Sequence, residues 1–257
     1  MQSDIIKQNI KNRLISSLRQ KFSNYKPETS SMPFHTRLLG KDRMALYSFI
    51  QSLNTNFGTS IFEPVAEELG DGLFDTIKRQ AIAGDTITIA AQRVIQDIMD
   101  SLESGSLRPN KQDEIRRILA VAQSGQTSTI KPTKVDLFLQ KNNNVYLVDI
   151  KTAKPNKGGF KEFKRTLLTW VASFAYHNPS VNIYSLIAIP YNPYYPKSYE
   201  RWTMAGMLDL ENELKVADEF WDFIGGKGSY ELILKAFEEV GCEMRTEIDE
   251  YFKKFNF

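Results

Sequence analysis

The sequence predicts an α/β (α+β) fold: a mixed central sheet flanked by helices, with a helical layer on the amino-terminal side. Three observations predict it. Two apolar runs, Val135 to Gln140 and Val145 to Lys151, flank a polar turn of Asn143 and Asn144. This is a strand-turn-strand signal, with β-branched and aromatic residues in the runs and asparagine where positive φ is tolerated. Helical periodicity follows from Phe160 to Tyr176, with Phe160, Phe163, Leu167, Val171 and Phe174 on one stripe. A continuous apolar run from Val181 to Pro190 then reads as a strand. Strand, strand, helix, strand is the order of a mixed sheet with helices packed on it.

The remaining elements follow in chain order. Ile5 to Phe22 reads as a helix, because Ile6, Ile10, Leu14, Ile15 and Leu18 recur at helical spacing. Tyr25 to Pro33 is a loop rich in Pro, Ser and Thr. Lys41 to Asn54 is helical, and a break at Phe57 to Phe62 precedes a helix from Glu63 to Leu69, with Pro64 permitted in its first turn. Leu73 to Ser104 is expected to be helical with an interruption at Gly84-Asp85, and Lys111 to Ala122 is one more helix. After a Tyr/Pro loop from Tyr191 to Tyr199, helices are expected over Leu210 to Ile224, Tyr230 to Val240 and Thr246 to Phe255. The chain is expected to form one domain over residues 1–257: a mostly helical part (1–125), a sheet core (126–200) and a helical carboxy-terminal part (201–257).

With 257 residues and 42% hydrophobic content, the chain can bury one good core. Its formal net charge of +2 announces no polyanion partner, so any such partner must be met by local charge. One cysteine, Cys242, excludes a disulfide framework and a cysteine-rich zinc site; it is expected in the core. Two histidines, His35 and His177, argue against a His-based metal site or a Ser-His triad. No apolar run is long enough to span a membrane. The first residues lack a signal-peptide core, so a reducing cytoplasm is the expected setting.

The chemistry concentrates in the hairpin. Asp136 lies near the start of its first strand, and Asp149 and Lys151 lie two apart on the second, so the pleat points the latter two to one face. An antiparallel partner brings Asp136 towards that face. Charged side chains in apolar strands pay desolvation, and neighbouring carboxylates repel. A divalent cation removes both penalties, and oxygen-only ligands favour a hard ion such as Mg²⁺. Such an ion polarises a phosphate oxygen and acidifies a bound water, which Lys151 can position or deprotonate. The competing reading is a surface hairpin with a solvated Asp-Lys pair; the apolar neighbours Leu147, Val148 and Ile150 argue against it.

Asp136 with Asp149-Ile150-Lys151 resembles the PD-(D/E)xK nuclease motif, with Val135 where proline often stands. Pro33 to Leu39, Phe57 to Ala66, and Trp221 to Gly226 followed by Tyr230 extend the likeness. Together they resemble the TdeIII family of type II restriction endonucleases over about Pro33 to Val240. The resemblance implies a restriction-endonuclease-like fold and a Mg²⁺-dependent, sequence-specific double-strand DNA nuclease of a prokaryotic restriction-modification system. It implies a short, palindromic, GGNCC-type target, and a homodimer whose two-fold symmetry matches that of the DNA. Asp136, Asp149 and the Ile150 carbonyl are the implied metal ligands, Lys151 stands beside the nucleophile, and Glu63 is the acidic residue that this superfamily often places on a helix ahead of the sheet. A repair nuclease or junction resolvase of the same fold, or a DNA-binding module without activity, are the alternatives.

A cationic cluster follows the motif: Lys151, Lys154, Lys157, Lys161, Lys164 and Arg165, with only Glu162 against it. Lys161, Lys164 and Arg165 are expected on one helix face opposite the apolar stripe. Lys154, Lys157, Lys164 and Arg165 are the candidate phosphate contacts, with an ordinary solvated face as the competing reading for Lys161. Lys197 and Arg201, in the loop with Tyr191, Tyr194, Tyr195, Tyr199 and Trp202, are candidates for contact with a DNA groove. His35 with Arg37 suits either phosphate contact or a structural hydrogen bond, His177 reads as a helix end, and Gly225-Gly226-Lys227-Gly228 reads as a helix-helix turn.

Overall fold

The computed structural model describes residues 2–29, 32–151, 159–200 and 204–254. They form two compact units, residues 1–69 with 227–257 and residues 70–226.

The first unit is helical. It contains α1 (Gln2–Asn24), α2 (Pro33–Leu39), α3 (Lys41–Phe57), a π-turn (Gly58–Phe62) that runs on into α4 (Glu63–Gly70), α9 (Ser229–Glu243) and α10 (Arg245–Lys253). Ile10 and Leu14 of α1 and Met44, Ala45 and Phe49 of α3 are buried. Phe49 stacks among Phe22, Tyr251 and Phe252, which joins α1, α3 and α10 through one aromatic cluster. Lys7 and Lys11 pair with Glu239 across α1 and α9. Cys242 is exposed, not in the core: it falls on the outer face of α9, off the Ile233, Ala236, Val240 stripe.

The second unit holds the sheet. Its strands are β1 (Thr76–Ile82), β2 (Thr86–Thr88), β3 (Thr127–Thr129), β4 (Lys134–Lys141), β5 (Asn144–Ile150), β6 (Asn182–Ile189) and β7 (Leu214–Val216). Its helices are α5 (Ile89–Glu103), α6 (Lys111–Leu119), α7 (Phe160–His177) and α8 (Asp218–Gly225). Among the described residues the main sheet runs β1-β4-β5-β6-β7, with β2 and β3 a separate pair. β1 to β4 and β4 to β5 are antiparallel, whereas β5 to β6 and β6 to β7 are parallel. The sheet is therefore mixed, and α7 makes the crossover that a parallel pair requires.

Three segments expected as helix are strand: Thr76–Ile82, Thr86–Thr88 and Leu214–Val216. Thr76–Ile82 forms β1 because pairing with β4 overrides a weak local preference. It is an edge strand, and its exposed Lys78 and Arg79 are the charges that edges carry against further pairing; they also hid its strand character. Leu214–Val216 adds β7 to the opposite edge, so the expected helix from Leu210 begins only at Asp218. The hairpin turn lies at Asn142 and Asn143, one residue earlier than expected, with Asn142 at φ 52°. Gly226 and Gly228 both take positive φ in the turn between α8 and α9.

α7 lies on the sheet face that carries Phe138 and Ser185. Phe138 meets Phe174 at 5.7 Å, and Ser185 Oγ donates to the Leu167 carbonyl at 2.9 Å. α5 and α6 pack on α7 from its other side. From Lys164 onward α7 is consequently buried over most of its surface, Lys164 and Ser173 included. Lys164 has no solvent to face: it is completely buried, which corrects the expectation of an exposed phosphate contact. Its ammonium lies 2.5 Å from both Glu114 of α6 and Glu213, and Lys111 bonds Glu213 at 2.7 Å. Two lysines and two glutamates thus neutralise one another in the interior. Burial pulls the Lys111 ammonium below its ordinary range. Burial pushes Glu213 up, but the Lys111 and Lys164 ammoniums outweigh it and hold that carboxyl below its ordinary range.

Two stability predictions follow from this packing. Lys164→Met leaves two buried glutamates sharing one lysine and should destabilise the second unit by about 3–5 kcal/mol, read by urea unfolding. The stabilisation in Glu213 is present above the unfolded pKa and lost as pH falls through the lower folded value. Removing Lys164 raises that folded value, so the acid-unfolding midpoint should move to higher pH; an unchanged midpoint contradicts the coupling. At the β1–β2 connection, a Cβ on Gly84 would lie 2.3 Å from Ser173 Oγ and 3.0 Å from the Ser173 carbonyl of α7. Gly84→Ala should therefore cost about 1–3 kcal/mol by overpacking, measured as a lowered thermal midpoint.

Candidate active site

β4 alternates cleanly. Val135, Leu137 and Leu139 are fully buried, while Asp136, Phe138 and Gln140 face α7's side of the sheet. β4 and β5 pair through Leu137 and Val148, and the next position in that register sets Asp136 opposite Asp149. Residues opposite one another share a face, so the two carboxylates belong to one cross-strand row. Asp149 is 5% exposed and Asp136 half-buried. The row lies where the β4–β5 ladder ends. There the Asp136 side chain replaces a ladder acceptor: Oδ2 takes the backbone N–H of Ile150 at 2.9 Å. From the other neighbour, Gln80 of β1 donates Nε2 to Asp136 Oδ1 at 3.3 Å.

Lys151 follows directly. Its backbone N–H bonds the Ala188 carbonyl of β6 at 2.9 Å, which prolongs the strand by one residue. Its ammonium lies 2.7 Å from Asp149 Oδ1 and 4.7 Å from the centre of the Phe163 ring. Phe163 sits on the first turns of α7, and its ring is packed so closely on Gly159 that a Cβ there would meet it at 2.9 Å. The aromatic face and the carboxylate fix the lysine from two sides. A basic group held beside an acidic pair is suited to orient a water or steady developing negative charge.

The sequence-predicted residues thus divide. The structure brings together Asp136, Asp149, Ile150 and Lys151. Glu63 is buried at the start of α4 in the first unit, whereas the acidic pair and Lys151 belong to the second. Arg165 donates to Gln96 of α5 at 3.0 Å, and exposed Lys161 pairs with Glu103 at 2.8 Å. Lys197 is exposed in a turn closed by its N–H on the Tyr194 carbonyl, with Tyr195 85% exposed beside it. Lys154, Lys157 and Arg201 lie outside the described residues. His177 ends α7, with Asp85 3.7 Å away, and His35 is exposed. Gln80 and Phe163 join the site without having been expected there. Gln80 lay in a segment read as helix, and Phe163 was assigned wholly to the apolar stripe.

The donor set suits a hard cation: two carboxylates in one row, with the Ile150 peptide between Asp149 and Lys151. Among the described residues, no three His, Cys, Asp or Glu side chains gather as a metal-holding group. A cation here would rest on the acidic pair and on backbone or water oxygens. No helix among the described residues is long and apolar enough to cross a membrane.

The chain is similar to known proteins along most of its length. The chain is 24% identical over 240 residues to the type II restriction enzyme MjaII of Methanocaldococcus jannaschii, covering 84% of this chain and 64% of that protein. It is 26% identical over 221 residues to the type II restriction enzyme HgiCII of Herpetosiphon aurantiacus, covering 84% of this chain and 80% of that one. The chain therefore spans just under two thirds of the length of MjaII. A family model described as type II restriction endonuclease, HinfI, matches residues 1–241. That family is named for HinfI, where the sequence segments resembled the TdeIII family; the class is the same in both. With nearly its whole length matched, the chain belongs to the HinfI family of type II restriction endonucleases.

Proposed function

We propose that this protein cleaves double-stranded DNA at a short specific site by phosphodiester hydrolysis, with Asp136, Asp149 and Lys151 as its catalytic group. The observation that carries the reading is the pairing of β4 with β5, which sets Asp136 and Asp149 in one row with Lys151 2.7 Å from Asp149. Family membership supports the reaction class.

Asp136, Asp149 and the Ile150 carbonyl would hold Mg²⁺, whose all-oxygen preference their chemistry matches. When bound, that ion supplies Lewis-acid polarisation of the phosphate and acidification of a bound water. The protein's own groups do the rest. The bonds from Ile150 N–H and Gln80 fix the Asp136 carboxylate in place before any substrate arrives. Asp149 is held in its buried position by Lys151, which leaves no uncompensated charge in the strand. The Lys151 ammonium donates to the attacking water and orients it, and it faces the charge that develops on the phosphate oxygens. The target is a short palindrome read by a homodimer, with GGNCC the first sequence to test. Lys197 in the exposed tyrosine-rich turn contacts the DNA, and Lys154, Lys157 and Arg201 are further basic candidates.

A plasmid of known sequence digested by the purified chain in Mg²⁺ should give discrete bands whose run-off ends map to one short motif. A smear, or no cutting with any divalent ion, contradicts the proposal. Sedimentation of the protein with a target duplex should report two chains per site. Lys151→Ala should keep specific binding in Ca²⁺, which preserves ligation better than chemistry, and lose at least about 10²-fold in single-turnover cleavage in Mg²⁺. Cleavage at the wild-type rate by that variant removes Lys151 from the catalytic group.

A further inference from the structure

Given Asp136 as a metal ligand, the reading proposed above, we infer that Gln80 is a positioning residue that presets the Asp136 carboxylate for the cation. Gln80 lies in β1, on the edge of the sheet. The pairs Arg79 with Leu137 and Ala81 with Val135 flank it, so Asp136 stands directly opposite. The same count on the next strand sets Asp136 opposite Asp149. Gln80, Asp136 and Asp149 therefore form one row across three strands.

The backbone at Gln80 is distorted. Its φ is 53°, in the left-handed region that L residues other than glycine seldom occupy. Asn142 shows the same φ in a hairpin turn, where asparagine is suited to it; Gln80 shows it inside a strand. The ladder pairs on either side of Gln80, and at its own position the side chain reaches Asp136, Nε2 to Oδ1 at 3.3 Å. Strain of this kind persists only where surrounding structure over-determines it, and it gathers at functional sites. Here it falls opposite one of the two acids of the row.

The physical role follows from the carboxylate. Its terminal torsion is broad, so an Asp held by one bond can swing. Asp136 is gripped from both neighbouring strands, with Oδ2 on the Ile150 N–H of β5 and Oδ1 on the Gln80 amide of β1. Bonds from two strands set both the plane and the direction of the carboxylate before metal arrives. Groups that orient a metal ligand in this way typically change metal affinity about 10–100-fold when removed. Gln80 need touch neither the metal nor the DNA.

The test compares Gln80→Met, which keeps volume and loses the donor, with Gln80→Gly, which accepts positive φ and folds whatever the strain. Asp136→Asn is run beside them. Two quantities are measured on the full chain: Mn²⁺ binding by loss of the free-ion paramagnetic resonance signal, and the Mg²⁺ concentration for half-maximal plasmid cleavage. Both Gln80 variants should need about tenfold more metal, recover most of the wild-type rate at saturating Mg²⁺, and keep their metal-free melting temperature. Unchanged metal dependence in both variants, or a rate that saturating metal does not restore, overturns the role of Gln80 while Asp136→Asn still loses metal and cleavage. If Asp136→Asn binds metal and cuts as wild type does, the metal-ligand reading itself fails, and the role of Gln80 with it.

Discussion

The antiparallel pairing of β4 with β5 is the constraint on which the site depends. Its register brings two acids into one row; a slip by one residue would turn Asp149 to the other face and bring Val148 in its place. The register is held by the burial of Leu137, Leu139, Leu147 and Val148, each of which would be moved by a slip. Apolar packing that carries no chemistry thus fixes the position of the side chains that do. At the end of the ladder the Asp136 carboxylate takes the Ile150 N–H that a backbone carbonyl would otherwise receive. One group thereby closes the strand pair and stands as the proposed metal ligand.

Charge serves two ends within the same helix and its approach. Lys151 is partly exposed, rests on Phe163 and pairs with a carboxylate that is buried but lies at the sheet's end. Lys164, one turn beyond Phe160, is sealed with Glu114 and Glu213. The first arrangement can exchange partners when a cation or phosphate arrives. The second cannot, since opening it would leave charges in a low-dielectric interior. Through Glu213, Lys164 ties α6 and α7 to the segment that enters β7; the Ile187 N–H donates to the Glu213 carbonyl at 2.8 Å. The buried cluster thus braces the parallel side of the sheet against the helix that also carries Phe163.

Much of this was legible in the sequence, for physical reasons that differ by element. The β4–β5 hairpin was visible because apolar alternation and an asparagine turn survive in local pattern. Asp149 and Lys151 could be placed on one face by the period of two alone, and the antiparallel hairpin brought Asp136 towards that face. β1 was not visible: an edge strand needs only one partner, and Lys78, Arg79 and Gln80 give it a helical composition. Gln80 was lost with it, since its contact with Asp136 exists only through pairing across 56 positions of chain. Lys164 was misread because helical periodicity shows which face is apolar, not whether the opposite face is covered. The dense run Leu167, Leu168, Trp170, Val171 and Ala172 was the available sign that α7 is enclosed.

On the proposed function, the row of Asp136 and Asp149 is the metal-bearing heart of a DNA-cleaving site. The most direct measurement is a crystal structure of the protein with an uncleavable duplex and Mn²⁺, with the ion located by anomalous scattering. An anomalous peak is expected within about 2.3 Å of an oxygen of each of these two carboxylates, beside the scissile phosphate and with Lys151 facing it. A bound duplex with its phosphate and metal held elsewhere, and no ion on Asp136 or Asp149, would contradict it.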